Sequence, residues 1–146
     1  MPATPATLWL DERGMDYKPL TYDYNKFGAE AAAEALSVPP RMMIKTLVME
    51  DEEGNPLIIL MHGDKEVSTK DLAREMDRKN VKPNSRGDAQ RYTGYLVGGI
   101  SPFATKHDIP IYMEETILHL PTLYINGGRR GFLLKMKPRI LVEALN

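Results

Sequence analysis

The chain of 146 residues contains no cysteine. That absence excludes a disulfide framework, a thiolate metal site and a cysteine nucleophile. No stretch approaches the roughly 18 apolar residues that a membrane-spanning helix requires. Met1 to Thr7 carry neither the basic segment nor the apolar core of a secretory signal. The expectation is a cytoplasmic protein with no membrane partner. His62, His107 and His119 have no companions at zinc-ligand spacing, so no metal is expected and surface or loop roles are assigned to them. Gly94, Gly98 and Gly99 are wrongly spaced for a Walker loop or a dinucleotide fingerprint, which leaves no implied cofactor.

Charge of one sign is also lacking. The net charge of −1 argues against a general nucleic-acid binder, but the average conceals an asymmetry. Residues 1–62 carry 5 basic and 10 acidic side chains, and residues 63–146 carry 14 basic and 10 acidic. Between Arg78 and Lys106 stand Arg78, Lys79, Lys82, Arg86, Arg91 and Lys106 against Asp88 alone. This segment reads either as a phosphate-facing edge or as a solvated face.

A hydrophobic fraction of 42% and a charged fraction of 27% are those of a globule able to fold unaided. The length suits one domain over residues 1–146. Thr4 to Gly14 reads as a short helix, Tyr17 to Tyr24 as a strand, and the alanine-rich stretch Gly28 to Leu36 as a helix stopped by Pro39-Pro40. Met43 to Glu50 and Leu57 to Met61 form an expected hairpin. Ser68 caps a helix through Met76, and Asp88 is the expected cap of another that ends at Gly94. Tyr95 to Val97, Ile109 to Met113, Leu123 to Asn126 and Phe132 to Met136 complete the strands, and Pro138 opens a last helix. Six or seven short strands and four or five helices without βαβ alternation predict a mixed α/β (α+β) fold, a curled sheet flanked by helices.

Lys45 lies inside an apolar strand, where an ammonium is costly to desolvate unless it meets an anion or several acceptors. The alternative is a lysine on the wet face of a half-buried strand, reaching solvent. Ser101 follows Gly98-Gly99-Ile100 and precedes Pro102, so its hydroxyl and the nearby N–H groups suit an oxyanion site; a tight structural turn explains the same residues. No Gly-x-Ser-x-Gly elbow is present to make it a nucleophile. Asn126-Gly127-Gly128 with Arg129-Arg130 suits phosphate contact or simply a glycine-rich hairpin tip.

Three blocks, taken together, carry a resemblance. Ile44 to Val48 (IKTLV), Thr93 to Pro102 (TGYLVGGISP) and Tyr124 to Gly131 (YINGGRRG) resemble the YbaK/ProX aminoacyl-tRNA deacylases and the editing insertion of bacterial prolyl-tRNA synthetase, over nearly the whole chain. The resemblance implies a barrel-like sheet of six to seven strands. It also implies metal-independent hydrolysis of the ester in a mischarged aminoacyl-tRNA, Cys-tRNA(Pro) or another small amino acid on tRNA(Pro). The implied partners are the acceptor end of the tRNA and, as a further candidate, an aminoacyl-tRNA synthetase. By position Lys45 resembles the family's essential lysine, with Gly99 and Ser101 as further catalytic candidates. Tyr22, Phe27, Thr46, Ile100, Pro102, Asn126, Gly127 and Gly128 resemble substrate-binding positions. Asn126 stands where members often have a small hydroxyl residue, and Phe132-Leu133-Leu134 where some have an aspartate. The alternative to an enzyme is a non-catalytic tRNA-binding or synthetase-associated module of the same fold.

Overall fold

The computed structural model describes residues 2–25 and 28–145. Helix α1 (Pro5–Glu12) starts at a reciprocal cap in which the Thr4 hydroxyl accepts from the Thr7 N–H and the Thr7 hydroxyl accepts from the Thr4 N–H. Strand β1 (Lys18–Thr21) is followed by α2 (Ala29–Leu36), which ends at Ser37 in a left-handed conformation. A short 3-10 turn, Pro40–Met42, leads into the hairpin of β2 (Met43–Asp51) and β3 (Pro56–His62). Helix α3 (Thr69–Glu75), strand β4 (Val81–Pro83) and helix α4 (Arg86–Thr93) come next, then β5 (Ile111–Met113). A second 3-10 turn, Glu115–His119, precedes the hairpin of β6 (Leu123–Arg129) and β7 (Phe132–Met136), and α5 (Pro138–Leu145) closes the chain.

The seven strands make one mixed sheet in the order β1-β7-β6-β2-β3-β5, with β4 also paired to β2. The pairs β2/β6 and β3/β5 are parallel and the others antiparallel. The mixed sheet flanked by helices matches the expectation, except that it stays open rather than closing into a barrel. Its two outer strands are short and marked by proline. Pro19 within β1 and Pro110 just before β5 have no N–H to offer a further strand.

Three local expectations differ. Tyr95 to Val97 is not a strand, because its main-chain donors have local acceptors. The Tyr95 N–H goes to the Thr93 hydroxyl and the Val97 N–H to the Gln90 side chain. Ser85, not Asp88, caps α4, its Oγ accepting from the Asp88 N–H at 3.1 Å. β4 was not foreseen, since three residues containing a proline carry little strand signal.

Phe103, Phe132, Leu10, Leu60 and Ile125 lie in the main core, between the sheet and helices α1 and α5. Tyr95 and Phe103 fasten the loop after α4 to that core. Both rings are buried, and the Tyr95 hydroxyl donates to the Phe103 carbonyl at 2.6 Å. The intervening segment is thereby held over the sheet.

One feature of the sheet positions everything below. On the side away from β3, strand β2 pairs with β6 only through Met43 and Ile44, and with β4 only from Met49 to Asp51. Residues 45–48 therefore have a strand neighbour on one side only, and the sheet is forked at this point.

Candidate active site

A cavity of about 360 Å³ occupies the fork. Its floor is β2 from Met43 to Val48. Tyr22 and Tyr24 after β1, together with Ala29 and Ala32 of α2, form one wall. Asn84, Arg86 and Ala89 form another, and Val97, Gly98 and Ile100 come from the loop after α4. Asn126 and Leu133 come from the β6/β7 hairpin. A volume of this size accommodates an acyl group and part of a nucleoside, not a nucleic-acid helix.

Lys45 does not simply reach into solvent. Its side chain is only 18% exposed, and the ammonium donates to the Lys65 carbonyl at 2.5 Å, with Glu66 Oε1 3.9 Å away. The turn after β3 thus fixes the amine at the cavity. Burial, reinforced by the neighbouring Tyr24, pushes the Tyr22 phenol above its ordinary range, so it remains a neutral hydroxyl at physiological pH.

The glycine loop is locked from outside. Asn126 Nδ2 donates to the Gly98 carbonyl at 3.1 Å, and Arg130 Nε donates to the Val97 carbonyl at 2.9 Å. Gly98 has φ +95°, a conformation that favours glycine. A Cβ on Gly99 would lie 2.8 Å from the Arg130 nitrogen, so only glycine lets the loop pack against the hairpin backbone.

The cavity brings together five of the sequence-predicted residues: Tyr22, Lys45, Thr46, Ile100 and Asn126. Gly99, Ser101, Pro102, Gly127 and Gly128 are not in its lining. Ser101 is fully buried, and its hydroxyl accepts from the Phe103 N–H at 3.1 Å, which is the turn-stabilising alternative. Gly127 packs against the Phe132 ring and Gly128 against Tyr95, with the Gly127 carbonyl accepting from the Thr4 hydroxyl at 2.6 Å. Phe27 lies outside the described residues. His62, expected in a surface or loop role, is instead buried at the end of β3, with Nδ1 2.6 Å from the Arg41 carbonyl and Nε2 2.9 Å from the Thr116 hydroxyl.

Sequence reasoning missed Tyr24, Asn84 and Leu133. Arg86 belongs to the basic segment noted above, but nothing local distinguishes it from its exposed neighbours. Asn84 precedes the cap of α4 and would have passed as a turn residue.

A family model described as "Aminoacyl-tRNA editing domain" matches residues 24–144. The chain is 26% identical over 145 residues to the "Putative Cys-tRNA(Pro)/Cys-tRNA(Cys) deacylase EbsC" of Enterococcus faecalis, covering 98% of this chain and 88% of that protein. It is 24% identical over 105 residues to the proline--tRNA ligase of Limosilactobacillus reuteri, covering 69% of this chain and 18% of the ligase. The crystal structure of "a putative trans-editing enzyme for prolyl tRNA synthetase" superposes with a TM-score of 0.85 at 21% identity, covering 99% of this chain and 94% of the other, and so shares the fold.

Proposed function

The chain belongs to the aminoacyl-tRNA editing domain family, and on that premise we propose that it hydrolyses the ester of a mischarged tRNA, with Cys-tRNA(Pro) or another small amino acid on tRNA(Pro) as substrate. The observation that carries this reading is the meeting of Lys45, the Gly98–Ile100 loop and Asn126 around one small cavity. In the reaction water adds to the acyl carbon, the bond from that carbon to the ribose oxygen breaks, and the ribose oxygen takes the proton. The acid and a free tRNA terminus are released.

Lys45 Nζ is the fixed cation against which the polar end of the acylated nucleotide is oriented, and its role is positioning the ester. The N–H groups of Gly98 and Ile100 have no acceptor among the described residues and belong to residues that line the cavity, so they suit the developing oxyanion. Gly99 supports this loop through its packing, and Ser101 and Pro102 through the buried turn behind it. The apolar lining of Ala29, Ala32, Met43 and Leu133 favours a small, uncharged amino-acid side chain. Lys79, Lys82 and Arg86 are exposed on the segment that leads to the cavity, whereas Arg78 and Arg91 are paired with Asp51 and Asp88. Among the described residues Lys79, Lys82 and Arg86 have no acidic side-chain partner, which suits contact with RNA phosphates.

The test is a deacylation screen over Ala-, Cys-, Ser- and Pro-charged tRNA beside the Lys45→Ala protein. Wild type should release the small amino acid from tRNA(Pro), and Lys45→Ala should lose at least about a hundredfold in rate, equivalent to about 3 kcal/mol of transition-state stabilisation. Equal rates would exclude the role given to Lys45. Salt-dependent tRNA binding without ester cleavage by the wild type would identify a binding module instead.

A further inference from the structure

The forked sheet leaves polar groups of its floor without partners. Across the β2/β3 hairpin the Asp51 N–H donates to the Asn55 carbonyl, while the Val48 carbonyl accepts from the Asn84 N–H on the opposite side. Main-chain groups of successive strand residues alternate in direction. Odd-numbered residues of β2 therefore face β3, and even-numbered ones face the fork. Of the even-numbered residues, Thr46 and Val48 have no ladder partner in β6 or β4, and the Val48 carbonyl is taken by the Asn84 N–H. The Thr46 N–H and carbonyl lie on the fork side of the strand, and the residue lines the cavity.

Side chains repeat the pattern. Among the described residues, the buried side-chain polar atoms without a hydrogen-bond partner are Thr46 Oγ1 and Asn84 Oδ1, and both residues line this cavity. The orientation of the Asn84 amide follows from its other end, since Nδ2 donates to Glu50 Oε1 at 3.1 Å. Its oxygen is the unpaired end. A folded protein leaves few such groups unpaired, because each forfeits the hydration it had in the unfolded chain. Two of them on residues that line one cavity, beside an unpaired strand edge, mark where a hydrogen-bond donor would be received.

We propose that Thr46 and Asn84 form an acceptor subsite for the α-amino group of the aminoacyl ester, holding the acyl carbon between Lys45 and the Gly98–Ile100 loop. This rests on the deacylase reading above. The amino group is the N–H donor that an aminoacyl ester carries one bond from the carbon next to the carbonyl. With Lys45 and Arg86 lining the same cavity, it is received as a hydrogen-bond donor rather than as a counter-ion. An N-acylated end, such as a peptidyl ester, keeps a single N–H that cannot serve both acceptors, so the site distinguishes it from a free aminoacyl end.

The experiment compares alanyl-tRNA(Pro) with N-acetyl-alanyl-tRNA(Pro) for wild type, Asn84→Ala and Thr46→Val, with thermal melts of each protein. Wild type should hydrolyse the free-amine ester at least about tenfold faster. Asn84→Ala should lose about tenfold in kcat/KM on that ester while changing little on the acetylated one, so that the preference collapses. Thr46→Val keeps the β-branched shape and should shift the preference in the same direction. The subsite is overturned if wild type cleaves both esters equally, or if the variants slow both equally; the latter points to the adenine amino group or to a structural role. If wild type cleaves neither ester but does cleave another aminoacyl-tRNA of the screen above, the same comparison is made on that ester; if it cleaves none of them, the deacylase reading fails and the subsite with it.

Discussion

Asn126 and Gly98 are joined by a hydrogen bond from the Asn126 amide nitrogen to the glycine carbonyl, 3.1 Å long and bridging 28 residues of sequence. The amide oxygen of the same side chain accepts from the Gly128 N–H at 2.8 Å and the Arg129 N–H at 3.2 Å. These two acceptances sit at the irregularity where β6 departs from its register with β7. One side chain therefore ties the bulge to the loop. Asn126→Asp keeps the acceptor and replaces the donor with an oxygen facing the Gly98 carbonyl. It should lower stability by about 1–3 kcal/mol and cut deacylation further, as urea denaturation and rate measurement on the same preparation would show.

Gly99→Ala pushes a methyl group against the backbone of Arg129 and Arg130, at 2.8 to 3.0 Å, where no side chain can swing aside. It should displace the loop, costing about 1–3 kcal/mol of stability together with activity. Gly87→Ala, in helix α4 with nothing within 4 Å of the added carbon, is the control. It should be neutral or stabilising by about 1 kcal/mol in a thermal melt.

Ser101→Ala removes the hydroxyl that accepts from the Phe103 N–H in a fully buried turn. A stability loss of about 1–2 kcal/mol is expected, with the rate per folded molecule within about twofold of wild type. A rate loss as large as that expected for Lys45→Ala, with unchanged stability, would put the hydroxyl in contact with substrate.

Burial acts to raise the Asp51 carboxyl, but hydrogen bonds from Asn55 and Glu53 and the Arg78 guanidinium outweigh it and hold the group below its ordinary range. A depressed carboxylate contributes stability that is complete above its unfolded-state value and lost as pH falls through the folded one. Asp51→Asn should therefore lose less stability than wild type as pH falls below about 5 in urea titrations, while being weaker than wild type at neutral pH. Parallel stability curves for the two proteins would contradict this.

The hairpins were legible because their signals are local. Apolar runs flank Asp51-Glu52-Glu53-Gly54 and Arg130-Gly131, and each pair of strands closes over a few residues. Lys45 stood out for a related reason, as a cation within an apolar strand. Ser101 and the Gly127-Gly128 pair were harder to assign. A glycine or serine in a tight turn has the same sequence pattern whether it faces a ligand or packs against Phe103, Phe132 or Tyr95. Asn84 carried no signal at all, because its importance lies in an unpaired oxygen and not in its residue type.

Residue order alone determined most of the strands and helices, the absence of thiol chemistry, and the three blocks by which the family is recognised, since propensity, patterning and motif are properties of neighbouring residues. The fork in β2 and the cavity within it were decided only when the chain closed. They depend on β6 leaving β2 after Ile44 and on β4 joining it at Met49. Pairings between distant segments balance loop entropy against packing over the whole molecule, and no local stretch of sequence encodes that balance.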